Sequence, residues 1–158
     1  TGYVWFFKRL PAGVSPAGGI AQEPKVSPRR GVKLRSLGAD LTSSDSFPVT
    51  VVIPIPKGWT ACGNAEVMAS AKSIGLATSI EWTLPDGCSI KDVSWQDADE
   101  HGLYDGTFMI EAFVDASGIE QVGDGMIVAD VRYQRCDKKS GICVLENARV
   151  ELPVTLSP

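Results

Sequence analysis

Apolar residues at every second position are the feature of this sequence that most constrains its fold. From residue 31 onwards, several stretches alternate apolar and polar side chains. A period of two is that of a β-strand with one buried face, whereas an amphipathic helix has a period of 3.6. The apolar positions are Val49, Val51, Ile53 and Ile55; Ile80, Trp82 and Leu84; Phe108, Ile110, Ala112 and Val114; Ile127, Ala129, Val131 and Tyr133; and Val150, Leu152, Val154 and Leu156.

Gly, Pro and Asp residues separate these stretches and indicate turns. Only "NAEVMASAKSIG" has a helical composition, and it is short. The pattern therefore predicts an all-β fold, an immunoglobulin-like antiparallel β-sandwich of about seven strands. The label describes architecture alone, because the cysteine-to-tryptophan pattern of antibody domains is missing. In "PVTVVIPIP", Pro54 and Pro56 indicate an edge strand or the end of a strand.

The first thirty residues have a different composition from the rest. They contain "LPAGVSPAGGIAQEPKVSPRR", which is rich in Pro and Gly. Such composition is typical of an extended segment. We therefore expect an extended N-terminal arm or linker over residues 1–30 and one folded domain over residues 31–158.

Charge and motif content exclude several classes of function. The formal net charge is −4, so the basic footprint of a nucleic-acid-binding protein is missing. No apolar run approaches the ~20 residues that cross a bilayer. Neither a nucleophile elbow nor a glycine-rich phosphate loop is present. The single histidine, His101, lies in "DADEHGLYDG", which we interpret as a solvated loop rather than as part of a catalytic triad or a calcium site.

Two of the four cysteines lie close together near the end of the sequence. The alternation that buries Tyr133 places Cys136 on the polar side of its strand, which is unusual for a structural cysteine. The segment "DKKSGI" is typical of a hairpin turn that brings Cys143 back alongside. Residues flanking such a turn can reach the roughly 5.5 Å Cα separation of a disulfide.

A redox couple and an inert disulfide are both compatible with this pair. The closed loop of eight residues is worth roughly 2.5 kcal/mol in the chain-entropy account. Because the bond is local, opening it should leave the sandwich folded, which suits a couple that cycles between two states. A small structural staple stays open as an alternative. A metal site is less favoured, because zinc takes four ligands and no second close pair accompanies Cys136 and Cys143.

The other two cysteines are far apart in sequence. A bond between Cys62 and Cys88 would close a loop of 27 residues, worth roughly 3.5 kcal/mol. Such a bond would be a structural staple. Two unpaired thiols are the alternative.

Several motifs in order resemble a known family. They are "IPIPKGW", "GLATSIEWTLPDG", "LYDG" and "YQRCDKKSGIC", followed by a closing strand. The chain resembles, over roughly residues 32–156, the amino-terminal periplasmic domain of DsbD-type thiol:disulfide interchange proteins, which are protein-disulfide reductases. The "YQ-x-C" strand with a second cysteine one hairpin later is the most specific part. The sequence departs from the family pattern in "GWT", in Leu103 where an aromatic residue is commoner, and in Cys62 and Cys88.

The resemblance implies a function and a set of site residues. Cys136 and Cys143 would be the redox-active pair, with Cys143 forming mixed disulfides and Cys136 resolving them. Leu103 and Tyr104 would form a cap that shields the pair. Electrons would come from a thioredoxin-like or membrane-embedded domain and pass to oxidised proteins of the periplasm, as in cytochrome c biogenesis, without a cofactor, a metal or nucleic acid.

The resemblance also implies a location and an assembly. The chain would be a monomeric domain of a protein tethered to the inner membrane. The alternative is a non-catalytic immunoglobulin-like binding or adhesion module with a structural hairpin disulfide.

Overall fold

The computed structural model describes residues 31–158, which form two β-sheets and one short helix. The strands are β1 (Lys33–Ser36), β2 (Asp40–Thr42), β3 (Ser46–Ile53), β4 (Trp59–Cys62), β5 (Ser79–Thr83), β6 (Ser89–Trp95), β7 (Leu103–Tyr104), β8 (Phe108–Asp115), β9 (Gly123–Asp137) and β10 (Cys143–Ser157). The helix α1 spans Ala65–Ser70. The arm predicted for residues 1–30 lies outside the described residues, so the domain boundary stays a prediction.

The two sheets form a sandwich. One sheet has the strand order β1-β3-β8-β6, and the other has the order β2-β10-β9-β4-β7, with β5 also paired to β9. All these pairs are antiparallel except β2 with β10. The prediction of an all-β immunoglobulin-like sandwich is confirmed.

The predicted alternation places the core between the sheets. Along β8 the inward residues, from Phe108 to Val114, are buried, and the residues between them are exposed. Four inward residues of β9 are buried in the same way, namely Ile127, Ala129, Val131 and Tyr133. Removal of this apolar surface from water is the main force that holds the two sheets together.

One detail differs from the sequence-based expectation, and a second decides between two predicted alternatives. The described residues contain ten strands rather than about seven, because a strand as short as β7, with two residues, carries little sequence signal. The strand β3 lies between β1 and β8, so of the two alternatives for Pro54 and Pro56 the end of a strand is confirmed and the edge strand is wrong. A proline cannot donate to the ladder, and both lie beyond Ile53, where β3 ends.

The helix α1 is short but well defined. Its first turn is capped by Asn64, whose side-chain oxygen accepts a hydrogen bond from the Val67 N–H at 2.8 Å. Its buried residue is Met68. A positive φ of 54° at Lys72 then ends the helical path.

The longest hairpin of the fold positions the cysteine pair. Strands β9 and β10 each have 15 residues and pair in continuous register from Cys136–Cys143 to Gly123–Leu156. The turn between them lies at one end of the sandwich, and Cys136 and Cys143 face each other beside it.

Candidate functional site

Cys136 and Cys143 form a disulfide across the end of the β9–β10 hairpin. The two sulfurs are 2.06 Å apart, and the two Cα atoms are 4.0 Å apart. A short Cα separation is typical of the pairs in an antiparallel ladder that do not hydrogen-bond to each other. In agreement, the next pair towards the turn is hydrogen-bonded, since the Asp137 N–H donates to the Ile142 carbonyl at 2.8 Å.

The turn itself is held by backbone bonds that do not depend on the sulfurs. The Gly141 N–H donates to the Asp137 carbonyl at 2.8 Å, and the Lys138 N–H donates to the Gly58 carbonyl at 2.9 Å. Gly141 has a φ of 77°, which other residues rarely adopt. A salt bridge of 2.8 Å between Lys138 and Asp105 adds a link to the loop after β7. None of these contacts uses a cysteine sulfur.

The disulfide lies on the outer face of its sheet. Tyr133 points into the core, so strand alternation turns Cys136 away from it. The neighbour of Cys136 on its other side is Thr60 of β4. Cys143 is exposed and Cys136 is partly exposed, so an approaching molecule reaches Cys143 more easily.

The inner face behind the disulfide holds an ion pair between a partly buried arginine and a buried glutamate. Arg135 Nε lies 2.8 Å from Glu146 Oε2, and the two side chains are 19% and 7% exposed. The Arg135 guanidinium also lies 4.3 Å from the centre of the Trp59 ring, within cation–π distance. These contacts connect β4, β9 and β10 directly beneath the cysteine pair.

A third cysteine lies on the same outer face but is covered. Cys62 follows Ala61, which pairs with Arg135, so Cys62 lies beside Gln134. It is only 3% exposed, and burial raises the pKa of its thiol. Because the thiolate is the reactive form, Cys62 is chemically protected even though it belongs to the same surface as the disulfide.

The chain after α1 provides this cover. Gln134 Oε1 accepts hydrogen bonds from the Leu76 N–H at 2.9 Å and from the Cys62 thiol at 3.8 Å. Gly75 has a φ of 130°, and a Cβ there would lie 3.0 Å from Cys62 Sγ. The Ser73 hydroxyl donates to the His101 carbonyl. Only glycine fits at residue 75, where the cover touches the thiol.

Leu103 and Tyr104, the predicted cap, lie on opposite faces of their strand. Tyr104 is 3% exposed and stacks on Phe108, with ring centres 4.0 Å apart. Its hydroxyl donates to the Gln96 carbonyl at 2.6 Å. Tyr104 therefore packs in the core, on the side away from the disulfide. Leu103 pairs with Cys62 and is partly exposed on the outer face, so its shielding role stays a prediction.

Exposed apolar side chains accompany the disulfide. We call them the apolar rim: Ile142 is 61% exposed, Leu76 38% and Leu145 37%. Ile142 precedes Cys143, Leu145 faces Gln134 across the ladder, and Leu76 is bonded to Gln134. Apolar residues grouped on a surface in this way are typical of protein-binding sites.

The remaining candidate residues take no part in this site. Cys88 is a free, partly buried thiol, so the staple considered between Cys62 and Cys88 does not form. His101 is exposed on its loop, as expected, 3.3 Å from Glu100. Within residues 31–158, no three His, Cys, Asp or Glu side chains are grouped so as to hold a metal ion. None of the helices described in that range could span a membrane.

Sequence reasoning missed the residues that support the pair. Arg135 and Glu146 are eleven residues apart, and only the strand register shows that they share the inner face. A charged residue at an inward position of β10 is the signal that could have indicated Glu146. Gln134 belongs to the "YQ-x-C" motif, but its bond to Leu76 depends on a segment 58 residues away.

Comparison with known proteins gives a distant structural match. No protein-family model matches the chain, and no curated protein matches it. Among solved structures, the chain is similar to the reduced form of the Neisseria meningitidis DsbD n-terminal domain, with 14% sequence identity and a TM-score of 0.38. The match covers 80% of this chain and 86% of that chain. The similarity to that domain is distant.

Proposed function

We propose that this chain is a thiol:disulfide interchange domain, a protein-disulfide reductase that relays electrons through Cys136 and Cys143. The observation that carries the proposal is the position of the disulfide, on the outer face at the open end of a hairpin, with Cys143 exposed. A reactive disulfide must be accessible, and the strands that carry it must stay in place in both redox states.

The chemistry needs only thiols and a partner disulfide. In the reduced protein, the Cys143 thiolate attacks one sulfur of the partner disulfide, forms a mixed disulfide and releases the partner's other sulfur as a thiolate. The Cys136 thiolate then attacks Cys143 Sγ, which restores the Cys136–Cys143 bond and releases the second partner thiolate. Two electrons pass to the partner, whose thiolates take up protons from water. No cofactor takes part.

The energetics support a bond that opens without loss of the fold. The loop closed by the disulfide contributes roughly 2.5 kcal/mol, and the backbone bonds at Asp137 and Lys138 hold the turn independently. The Arg135–Glu146 pair fastens the two strands from the inner face.

The partners follow from the sequence resemblance and from the apolar rim. In this proposal a thioredoxin-like or membrane-embedded domain reduces the pair, and oxidised proteins of the cell envelope receive the electrons. The rim of Leu76, Ile142 and Leu145 offers an apolar surface beside the sulfurs for these proteins. The domain would work in the periplasm, tethered to the inner membrane, in a pathway such as cytochrome c biogenesis.

A glutathione titration followed by circular dichroism tests the proposal. We expect a reversible two-electron transition of the Cys136–Cys143 pair while the native spectrum is retained. A disulfide that resists reduction, or a spectrum that is lost with it, would instead identify a binding or adhesion module with a structural staple. The Cys88→Ser variant is the matched control, because it removes a thiol outside the pair.

Trapping experiments test the roles of the two sulfurs. A Cys136→Ser variant should accumulate a mixed disulfide through Cys143, because the resolving thiol is missing. A Cys143→Ser variant should not accumulate it and should lose electron transfer. Transfer at the normal rate by Cys143→Ser would contradict this assignment.

A further inference from the structure

One side of the strand that begins at Cys143 is not paired along most of its length. Strand β10 pairs with β9 on one side throughout. On its other side it pairs with β2, only from Thr155 to Ser157. Within residues 31–158, no strand pairs with that side over residues 143–153. We call this side of residues 143–153 the open edge.

Hydrogen bonds at both ends of β10 define which backbone groups point to the open edge. The Ile142 carbonyl accepts a bond from β9, and the Thr155 N–H donates at 2.8 Å to Ala39, on the side of β2. The register between these points has no irregularity. Bonding directions alternate along a strand, so the residues whose N–H and C=O groups point outward are Cys143, Leu145, Asn147, Arg149 and Glu151. Pro153 points the same way but has no N–H.

The charged and proline residues of this edge lie at its far end. Natural edge strands avoid unwanted pairing by means of charges and prolines. Here Arg149, Glu151 and Pro153 serve that purpose. The part nearest the disulfide has the uncharged residues Cys143, Leu145 and Asn147 at its outward positions.

A strand added to the open edge would continue the row of residues that contains the disulfide. Thr60, Cys136 and Cys143 are directly opposite one another on adjacent strands. A residue paired with Cys143 from the open side would lie on the same face, with its Cβ about 5 Å from that of Cys143. If that residue is a cysteine, three sulfurs lie in one row with Cys143 in the middle. Thiol–disulfide exchange requires such an in-line approach.

We propose that the open edge binds an extended, cysteine-containing segment of the partner protein as an additional β-strand. Main-chain bonds to Leu145 and Asn147 hold the segment, and its cysteine lies opposite Cys143. Pairing on this side also explains the choice of Cys143, since β4 occupies the far side of Cys136. The inference rests on the function proposed above and adds how the substrate is recognised.

A proline at an outward position of the edge tests the proposal. Asn147→Pro removes one outward N–H, and the ladder to β9 does not use that group. Asn147→Ala is the matched control that keeps the N–H. The probe is a synthetic peptide of about ten residues with a central cysteine, supplied as its mixed disulfide with glutathione. The reduced full chain is mixed with this peptide or with glutathione disulfide, and the exchange rate is measured.

We expect Asn147→Pro to slow exchange with the peptide by about fivefold, the effect of losing one hydrogen bond. Exchange with glutathione disulfide, which has no strand to add, should be unchanged. Asn147→Ala should match the wild type with both substrates. With the wild-type chain, a peptide that carries N-methyl groups at alternate residues should react about as slowly as the unmodified peptide does with the proline variant.

The outcomes separate this inference from the function itself. Equal peptide rates for Asn147→Pro and wild type overturn edge binding and leave the exchange function intact. A wild-type chain that reacts with neither substrate overturns both. A wild-type dimer that the proline dissociates also overturns the inference, because a second copy then occupies the edge. If Asn147→Pro does not fold, equal rates for the N-methylated and unmodified peptides overturn it.

Discussion

The two faces of the β9–β10 hairpin end differ in almost every physical property. The outer face carries the Cys136–Cys143 disulfide, of which Cys143 is exposed. The inner face carries Arg135 and Glu146, a pair 2.8 Å apart that is largely removed from water. One face presents a bond that can be broken by exchange, and the other holds contacts that are costly to break.

The proposed function needs a bond that opens while its strands stay in place. The contacts of the inner face hold β9 and β10 without using the sulfurs, which supports that proposal. On the outer face itself, the segment bonded to Gln134 covers Cys62. Accessibility, and not the presence of a cysteine, distinguishes the exposed Cys143 from the covered Cys62.

The largest expected effect on stability comes from removing the Arg135–Glu146 ion pair of the inner face. Glu146→Gln leaves the Arg135 charge buried without its partner, so we expect the free energy of unfolding to fall by about 3 kcal/mol. Urea unfolding followed by circular dichroism measures it. The control is Glu151→Gln, which removes the carboxylate of an exposed pair with Arg149 and should change stability by less than about 0.5 kcal/mol. Equal effects of the two variants would contradict the contrast between the faces.

Reducing the disulfide of the outer face should lower stability by less than removing the ion pair does, and it should leave the fold intact. Reduction of the Cys136–Cys143 bond should lower the free energy of unfolding by about 2.5 kcal/mol, because the unfolded chain is no longer constrained. The near-ultraviolet circular dichroism of the native state should not change. Urea titrations with and without dithiothreitol measure both quantities, and a Cys136→Ser/Cys143→Ser double variant should not respond to the reductant. Loss of the native spectrum on reduction would mean that the bond holds the hairpin together.

Weakening the segment that covers Cys62 tests whether this cover is what separates Cys62 from the exposed Cys143 on the outer face. Gln134→Ala removes the acceptor of the Leu76 N–H, so we expect iodoacetamide to modify Cys62 about fivefold faster, the effect of losing one hydrogen bond. Peptide mass spectrometry of the native protein measures the rate, with Gln121→Ala as a surface control.

The pH dependence of the same reaction provides a second check on the cover. Burial raises the pKa of Cys62 above its ordinary value of 9.0, and only the thiolate reacts. The rate in the wild-type chain should therefore continue to rise above pH 9.0. A rate that levels off below that pH would show that the thiol is not buried.

The smallest expected effect belongs to the exposed link between the turn and the loop after β7. Lys138→Ala breaks the salt bridge to Asp105, and both side chains are about half exposed. Such pairs contribute about 0–1 kcal/mol, so we expect a change of less than about 0.5 kcal/mol in stability. The glutathione titration should give the same midpoint as that of Lys139→Ala. A loss comparable to that of Glu146→Gln would mean that this salt bridge also supports the hairpin.

Much of the architecture could be predicted from local pattern. The period-two alternation of Ile127 to Tyr133 follows from one buried face, and it also places Cys136 on the outer side. The hairpin that joins Cys136 to Cys143 has a recognisable turn. Strand order was not predictable in this way, because β4, β7 and α1 reach the hairpin from distant parts of the sequence.

The cap shows where inference from the sequence stopped. Leu103 and Tyr104 are adjacent in "LYDG", and their roles were predicted together. In the structure they face opposite sides of the sheet, so Tyr104 packs on Phe108 and Leu103 lies beside Cys62. The segment around Gly75 covers Cys62, which does not belong to the Cys136–Cys143 pair, and no local pattern relates that segment to β9.

The sequence by itself determined the all-β class, the hairpin and the outward orientation of Cys136, because each depends on neighbours within a few residues. Tertiary structure alone decided that Arg135 meets Glu146, that Cys62 is covered and that β10 begins with an open edge at Cys143. Those features depend on strand register and on which strands become neighbours, which the packing of the whole sandwich determines.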